Sequence, residues 1–86
     1  MAQTHQIDIN TMAFPANTAV AKGDTVVWTN KMPMQHTVTS DATPPLFDSG
    51  ELGQDDTFQY TFNDAGPFPY HCEIHPTRMK GTVTVG

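Results

Sequence analysis

Hydrophobic and polar residues alternate along most of the chain with a period of two, which is the pattern of β-strands that bury one face. The repeat is clearest over residues 57–62, where Phe58, Tyr60 and Phe62 alternate with threonine and glutamine. Val, Ile, Thr and aromatic residues dominate the alternating segments, as is typical of strands. The other segments contain Ile7 and Ile9, Val26 and Trp28, His36 and Val38, Phe68 to Cys72, and Val83 and Val85. No segment has the 3.6-residue period of a helix.

Residues that favour turns separate these segments. Lys22-Gly23-Asp24 predicts one tight turn, and the Asn-Asp-Ala-Gly-Pro sequence of residues 63–67 predicts another, in which glycine can take a positive φ. Residues 43–53 form the longest irregular stretch, with two prolines and two glycines. About seven short strands at a spacing of roughly 8–12 residues indicate an all-β fold, an antiparallel sandwich or a small barrel.

Length and charge narrow the possible functions. With 86 residues the chain is long enough for one domain, which we expect to span residues 1–86. Four Lys and Arg against nine Asp and Glu make nucleic acid an improbable partner, because phosphate binding needs a basic surface. Nothing approaches the ~20 apolar residues of a membrane span. The opening residues lack a basic start and an apolar segment, so we interpret the chain as a mature domain without its signal peptide.

Residues 72–79, Cys-Glu-Ile-His-Pro-Thr-Arg-Met, hold the most informative chemistry. They place a thiol, an imidazole and a thioether in one loop between two predicted strands. Cys72 is the single cysteine, so it has no partner for a disulfide within the chain. His36 opens another predicted strand, after a loop rich in Pro and Met. Two imidazoles and a thiolate with a weak axial Met sulfur form the blue-copper electron-transfer site.

Several longer motifs share a pattern with a known family. They are residues 21–28, Ala-Lys-Gly-Asp-Thr-Val-Val-Trp; Asn30, Met34 and His36; Tyr70-His71-Cys72; and the Cys-x-x-His-Pro segment with a following Met and Gly. On these residues the chain resembles the cupredoxins, or type 1 blue copper proteins, over about residues 5–85. Within them it is most similar to the amicyanins and plastocyanins. The resemblance implies a Greek-key β-sandwich of about seven or eight strands, with one copper ion bound by His36, Cys72, His75 and Met79.

The same resemblance implies a function and a setting. It implies a small electron-transfer protein that shuttles one electron through a mononuclear Cu(I)/Cu(II) site and is not an enzyme. It further implies a monomer with a periplasmic or otherwise extracytoplasmic location. Redox proteins, such as a dehydrogenase donor and a c-type cytochrome acceptor, are implied as partners that dock near His75. Pro33, Pro76, Met32, Met34 and Phe14 are candidates for an apolar docking patch there.

The chain departs from the family pattern at three places. Three residues separate His75 from Met79, against two in amicyanins and four in plastocyanins. Thr37 stands where an asparagine usually ties the two ligand loops together, and we expect its hydroxyl to make a similar, weaker link. Gln35 replaces a proline that often precedes the first histidine.

Other functions could use the same residues. A copper carrier or storage protein without a redox role is the main alternative, and a thiol enzyme using Cys72 and His75 or a structural zinc site fits the donor set less well. By strand alternation His71 faces away from Cys72, so we expect it to be exposed and not a ligand. We expect His5 to be solvated. The acidic residues Asp48, Glu51, Asp55 and Asp56 are expected to form a solvated face.

Overall fold

Most of the alternating segments of the sequence are strands in a computed structural model of the chain, which describes residues 2–86. The strand expected to open at His36 is wrong, because His36 forms only an isolated bridge with Leu52 and the next strand begins at Thr39. The positive φ expected for glycine in residues 63–67 is confirmed at Gly66, where φ is 127° and the sixth strand begins. No helix among residues 2–86 is long or apolar enough to cross a membrane. The seven strands are β1 (Thr4–Ile9), β2 (Thr18–Val20), β3 (Thr25–Asn30), β4 (Thr39–Ser40), β5 (Thr57–Thr61), β6 (Gly66–His71) and β7 (Lys80–Val85).

The strands form two sheets packed face to face, with the orders β1-β3-β5 and β2-β7-β6-β4. The all-β sandwich expected from the sequence is confirmed. The expectation of purely antiparallel pairing is wrong, because β1 runs parallel to β3 and β2 runs parallel to β7. The physical reason lies in the connections: β1 and β3 are joined through β2 in the opposite sheet, so the chain returns to the first sheet in its original direction.

Aromatic rings fill the space between the sheets. Trp28 on β3 is fully buried and stands edge-on to Tyr70 on β6, with ring centroids 5.4 Å apart. Phe47, from the long irregular stretch, packs against Trp28 with ring centroids 6.1 Å apart. Phe14 packs on Tyr70 at 4.8 Å and is only 7% exposed, so its expected place in a surface patch around His75 is wrong. This core joins the two sheets that deliver the residues of the site.

Asp24 lies in the predicted Lys22-Gly23-Asp24 turn, directly before β3, where its carboxylate binds several neighbouring residues. Its carboxylate accepts hydrogen bonds from the backbone N–H groups of Gln3 and Ala21, at 2.8 and 3.0 Å. His5 Nε2 lies 2.9 Å from the same carboxylate, so the expectation that His5 is merely solvated is wrong. The hydrogen bonds from His5, Ala21 and Gln3 lower the pKa of Asp24 to about 2.

Asp24→Asn is expected to lower the free energy of unfolding at pH 7, because the amide NH₂ faces donors where the carboxylate accepts. The carboxyl pKa is depressed in the folded state, so its stabilisation is complete above about pH 4, the ordinary pKa of aspartate. It is lost as the pH falls towards about 2. Urea unfolding should therefore show a gap between wild type and variant at pH 7 that shrinks between pH 4 and pH 2. Asp64→Asn, at an exposed turn position, is the control and should show no such gap.

Candidate metal centre

His36 lies at one end of the sandwich and is held by backbone hydrogen bonds on both sides. Its N–H donates to the Leu52 carbonyl at 3.1 Å, and its carbonyl accepts from the Leu52 N–H at 2.7 Å. The side chain has no solvent exposure. Burial, and secondarily the nearby His75, lower the pKa of His36, which favours the neutral imidazole that a metal requires.

The two ring nitrogens of His36 have different neighbours. Nε2 lies 3.3 Å from the Met32 sulfur, and Nδ1 lies 3.8 Å from Cys72 Sγ. A thioether sulfur can only accept a hydrogen bond, so in the neutral ring Nε2 carries the hydrogen. Nδ1 then keeps a lone pair that faces Cys72. Met32 was expected to be an apolar loop residue, and this contact with the ring is a role that the sequence did not indicate.

Asn30 shapes the loop that leads to His36. This residue at the end of β3 is fully buried, and its Nδ2 donates to the carbonyls of Met34 and Leu52, at 2.9 and 2.8 Å. Its Oδ1 accepts from the N–H of Met32 at 2.9 Å. The single side chain therefore fixes both Met32, which contacts His36, and Leu52, which pairs with His36. The sequence indicated only that Asn30 belongs to a family motif. Its contacts show that it holds the loop before His36 in place.

Cys72 follows β6 directly and is fully buried. Its N–H donates to the Met79 carbonyl at 3.0 Å, and the Met79 N–H donates to the His75 carbonyl, also at 3.0 Å. These bonds close residues 72–79 into a tight loop. Met79 is fully buried at the end of that loop, just before β7 begins at Lys80.

Thr37 joins the two segments that bear these residues, as expected from the sequence. Its hydroxyl accepts a hydrogen bond from the Glu73 N–H at 2.7 Å. Its own N–H donates to Cys72 Sγ at 3.4 Å. The sulfur thus has one backbone donor, and the loop after Cys72 is tied to the segment after His36.

His71 points away from Cys72, but the expectation that it is exposed is wrong. Asp41 bonds its Nδ1, and the Glu73 carboxylate lies 3.0 Å from its Nε2, leaving the side chain 19% exposed. Burial alone lowers the pKa of His71, and the hydrogen bonds to Asp41 and Glu73 outweigh that effect and raise it. With both ring nitrogens engaged by carboxylates, His71 is not among the residues gathered at Cys72.

Three metal-binding side chains meet at this end of the sandwich. One ligand atom from each of His36, Cys72 and His75 lies within 4.8 Å of the other two. Within residues 2–86, His75 Nδ1 is buried yet has no hydrogen-bond partner. An orphaned buried nitrogen beside a buried thiol and a second imidazole is what a bound metal would satisfy. Thiolate with imidazole and a nearby thioether suits copper in both oxidation states.

Fold and site together define the class: a small β-sandwich with a His-Cys-His centre for a single metal ion, in which His36 and Cys72 are buried and His75 is half-buried. Residues 1–86 match the sequence model of a family described as copper binding proteins, plastocyanin/azurin family. The chain belongs to this family.

Individual relatives agree with that membership. Amicyanin of Paracoccus denitrificans is 36% identical over a matched segment that covers 77% of this chain and 52% of that protein. The chloroplastic plastocyanin of Tetradesmus obliquus is 32% identical over a matched segment that covers 83% of this chain and 56% of that protein. The chain therefore spans about half the length of these relatives. A Cu(I) structure of an amicyanin methionine-to-alanine variant superposes with a TM-score of 0.87 at 30% identity, covering 96% of this chain and 82% of that one.

Proposed function

We propose that this chain is a blue-copper electron carrier that transforms no substrate. The observation that supports it best is the buried cluster in which donor atoms of three residues lie within 4.8 Å of one another. The proposed ligands of one copper ion are His36, Cys72, His75 and Met79. Copper bound there would supply the one-electron exchange between Cu(I) and Cu(II).

The protein's part in electron transfer is to hold these donors still. Thiolate and thioether sulfur suit Cu(I), and imidazole suits both oxidation states. The backbone pairing of His36 with Leu52 and of Cys72 with Met79 restrains the donors from two sides. A copper site that cannot relax towards the geometry preferred by Cu(I) or by Cu(II) changes little in shape when an electron moves. A small change in shape favours fast electron transfer.

Met79 is proposed as the residue that would supply a weakly binding thioether sulfur to the copper ion. It is fully buried, and its amide is bonded to the His75 carbonyl, so its position follows that of His75. Met34 is 44% exposed, and its backbone carbonyl accepts a hydrogen bond from Asn30 Nδ2. These positions favour Met79 over Met34 as the sulfur donor.

The visible and EPR spectra of the Cu(II)-loaded protein test this function. We expect an intense thiolate-to-copper band and narrow hyperfine splitting. A weak band with ordinary Cu(II) hyperfine splitting would instead support the alternative, a copper carrier or storage protein. A protein that binds Zn²⁺ in preference to copper and forms no coloured Cu(II) complex would contradict both copper functions.

The surface near His75 is the proposed contact for redox partners. Met34 and Ile74 are large apolar side chains exposed by 44% and 42%, and Pro33 and Pro76 are exposed beside them in sequence. Small apolar contacts of this kind suit transient electron-transfer encounters. By the resemblance to cupredoxins, a dehydrogenase and a c-type cytochrome are proposed as donor and acceptor, in a periplasmic or other extracytoplasmic location.

Charges beside the site are proposed to steer those partners. Lys31, Arg78 and Lys80 are exposed and lie in or next to the ligand loops, whereas the whole chain has a net charge of −5. Glu73 in the same loop, and Asp41 against His71, add two negative charges at this end. We propose that these three cations attract an acidic partner surface.

Arg78→Glu is expected to slow oxidation of the reduced copper protein by anionic hexacyanoferrate(III) several-fold at low ionic strength. Oxidation by cationic tris(phenanthroline)cobalt(III) should accelerate, and both differences should fade in high salt. Stopped-flow measurements check this. Lys22→Glu makes the same charge change in the turn at the other end of β3 and should have little effect. Equal effects of the two variants would show that only net charge matters.

A further inference from the structure

A series of hydrogen bonds through two threonine hydroxyls, named the hydroxyl chain, connects an exposed carboxylate with the loop that follows Cys72. Thr39 Oγ1 donates to Asp48 Oδ1 at 3.2 Å, and Thr37 Oγ1 lies 3.0 Å from Thr39 Oγ1. The Glu73 N–H donates to Thr37 Oγ1 at 2.7 Å. Both threonines are buried, with 4% exposure at Thr37 and 1% at Thr39. These hydrogen bonds therefore run from the protein surface to the loop of residues 72–79 through two hydroxyls that are almost completely shielded from water.

The direction of every bond in this chain is determined by its end groups. An ionised carboxylate only accepts, so Thr39 gives its one hydroxyl hydrogen to Asp48. Thr39 can then only accept from Thr37, and the Thr37 oxygen accepts from the Glu73 N–H. All three bonds point from the copper loop towards Asp48. Bonds aligned in this way polarise and strengthen one another, and a charged terminal acceptor adds to the effect.

The inner end of the hydroxyl chain is linked to Cys72 in two ways. Thr37, whose hydroxyl is held by Thr39, donates its own N–H to Cys72 Sγ. Glu73, whose N–H is held by Thr37, is the residue directly after Cys72. Fixing Thr37 and Glu73 therefore fixes both the hydrogen bond to the sulfur and the backbone that positions it. Hydrogen bonds to a ligand sulfur tune the potential of a copper site.

We propose that Thr39 and Asp48 are positioning residues that hold Thr37 and Glu73, and through them the Cys72 sulfur. The effect on copper rests on the proposed function, whereas the effect on the Glu73 amide does not. Asp48 was expected from the sequence to belong to a solvated acidic face. It is exposed, but its Oδ1 also accepts from the Gly50 N–H at 3.0 Å, which restrains the carboxylate for its contact with Thr39.

The first test uses copper-free protein and NMR. Thr39→Val removes the hydroxyl and keeps the shape, Thr39→Ser keeps the hydroxyl, and Asp48→Asn removes the charge. In Thr39→Val the Glu73 amide proton should shift upfield and exchange with solvent several-fold faster, consistent with the loss of part of one hydrogen bond. Thr39→Ser should restore the wild-type values, and Asp48→Asn should move the amide in the same direction as Thr39→Val by less.

The second test uses copper-loaded protein and measures the reduction potential. A hydrogen bond withdraws charge from the sulfur and favours the reduced site, so Thr39→Val should lower the potential. At a fixed applied potential, the ratio of reduced to oxidised protein should fall about twofold or more, and Thr39→Ser should recover it. Thr25→Val is the matched control, because it removes a hydroxyl 2.7 Å from the Thr61 hydroxyl on the exposed side of the other sheet.

The outcomes separate this proposal from the proposed function. A Glu73 amide that is unchanged in Thr39→Val and Asp48→Asn overturns the positioning chain, whatever the metal. An amide that changes in Thr39→Val but not in Asp48→Asn overturns the part assigned to Asp48. If the Glu73 amide responds as expected but wild-type protein forms no thiolate-to-copper band, the proposed hydroxyl chain is supported and the blue-copper function is contradicted. If Thr39→Val does not fold, Asp48→Asn and Thr39→Ser still give the decisive comparison.

Discussion

Cys72→Ser is expected to abolish the intense visible band of the Cu(II)-loaded protein and to lower its copper affinity by more than about 100-fold. Loss of an outer-shell partner alone typically costs about 10- to 100-fold, and this substitution removes the proposed thiolate ligand itself. The hydroxyl of serine stays protonated near neutral pH and cannot replace the soft, charged sulfur. Absorption spectroscopy and a competition titration with a copper chelator measure the two effects.

Ile74→Ala is the control for Cys72→Ser. Ile74 is 42% exposed in the same loop, so its truncation should leave the band and the affinity near wild type. Circular dichroism of the copper-free proteins establishes whether both variants keep the β-sandwich. A folded Cys72→Ser protein with an undiminished band would rule out Cys72 as the ligand, and with it the blue-copper function.

Gly81→Ala is expected to destabilise the fold by about 3 kcal/mol or more, at the upper end of overpacking effects. A Cβ at this position would lie 2.7 Å from the Pro15 carbonyl oxygen and 2.9 Å from Cζ and Oη of Tyr70. The first obstacle is backbone and the second is a fully buried ring, so neither can move aside cheaply. Urea unfolding of the copper-free protein should show the loss, which is a large part of the roughly 5–15 kcal/mol of a typical domain.

Gly53→Ala is the matched substitution for Gly81→Ala. Its added Cβ would meet only the carboxylate of Asp56, at 3.4 Å, which is an ordinary van der Waals distance. Its unfolding midpoint should stay close to wild type. A Gly81→Ala protein as stable as Gly53→Ala would mean that β7 can shift away from Tyr70. Met79 would then shift too, since it lies two residues before Gly81.

Most residues proposed for the metal centre could be identified in the sequence because they are local in the chain. Cys72, His75 and Met79 occupy one eight-residue loop, and that spacing of sulfur and imidazole suits a copper site. His36 is 36 residues from Cys72. Only its predicted position at the start of a strand and the family resemblance linked it to the loop. The approach of His36 Nδ1 to within 3.8 Å of Cys72 Sγ is a product of the sandwich, not of any local motif.

Side chains that support the centre were much harder to infer. Met32 was interpreted as an apolar loop residue, yet its sulfur lies 3.3 Å from His36 Nε2. Asp48 was assigned to a solvated face, yet it accepts a hydrogen bond from buried Thr39. Phe14 was assigned to a surface patch, yet it packs on Tyr70. Each of these roles depends on a partner that is distant in the chain or on the other side of a turn.

The sequence by itself determined that the chain is all-β, where most of its strands lie, and which residue types could bind copper. These are local properties, because a period of two and a loop of mixed sulfur and imidazole donors can be recognised within a few neighbouring residues. The tertiary structure decided the parallel pairing of β1 with β3, the orientation of the His36 ring, and the hydroxyl chain from Asp48. Alternation shows which face of a strand is buried, but it does not specify the neighbouring strand or its direction. Only packing of the two sheets brings those distant partners together.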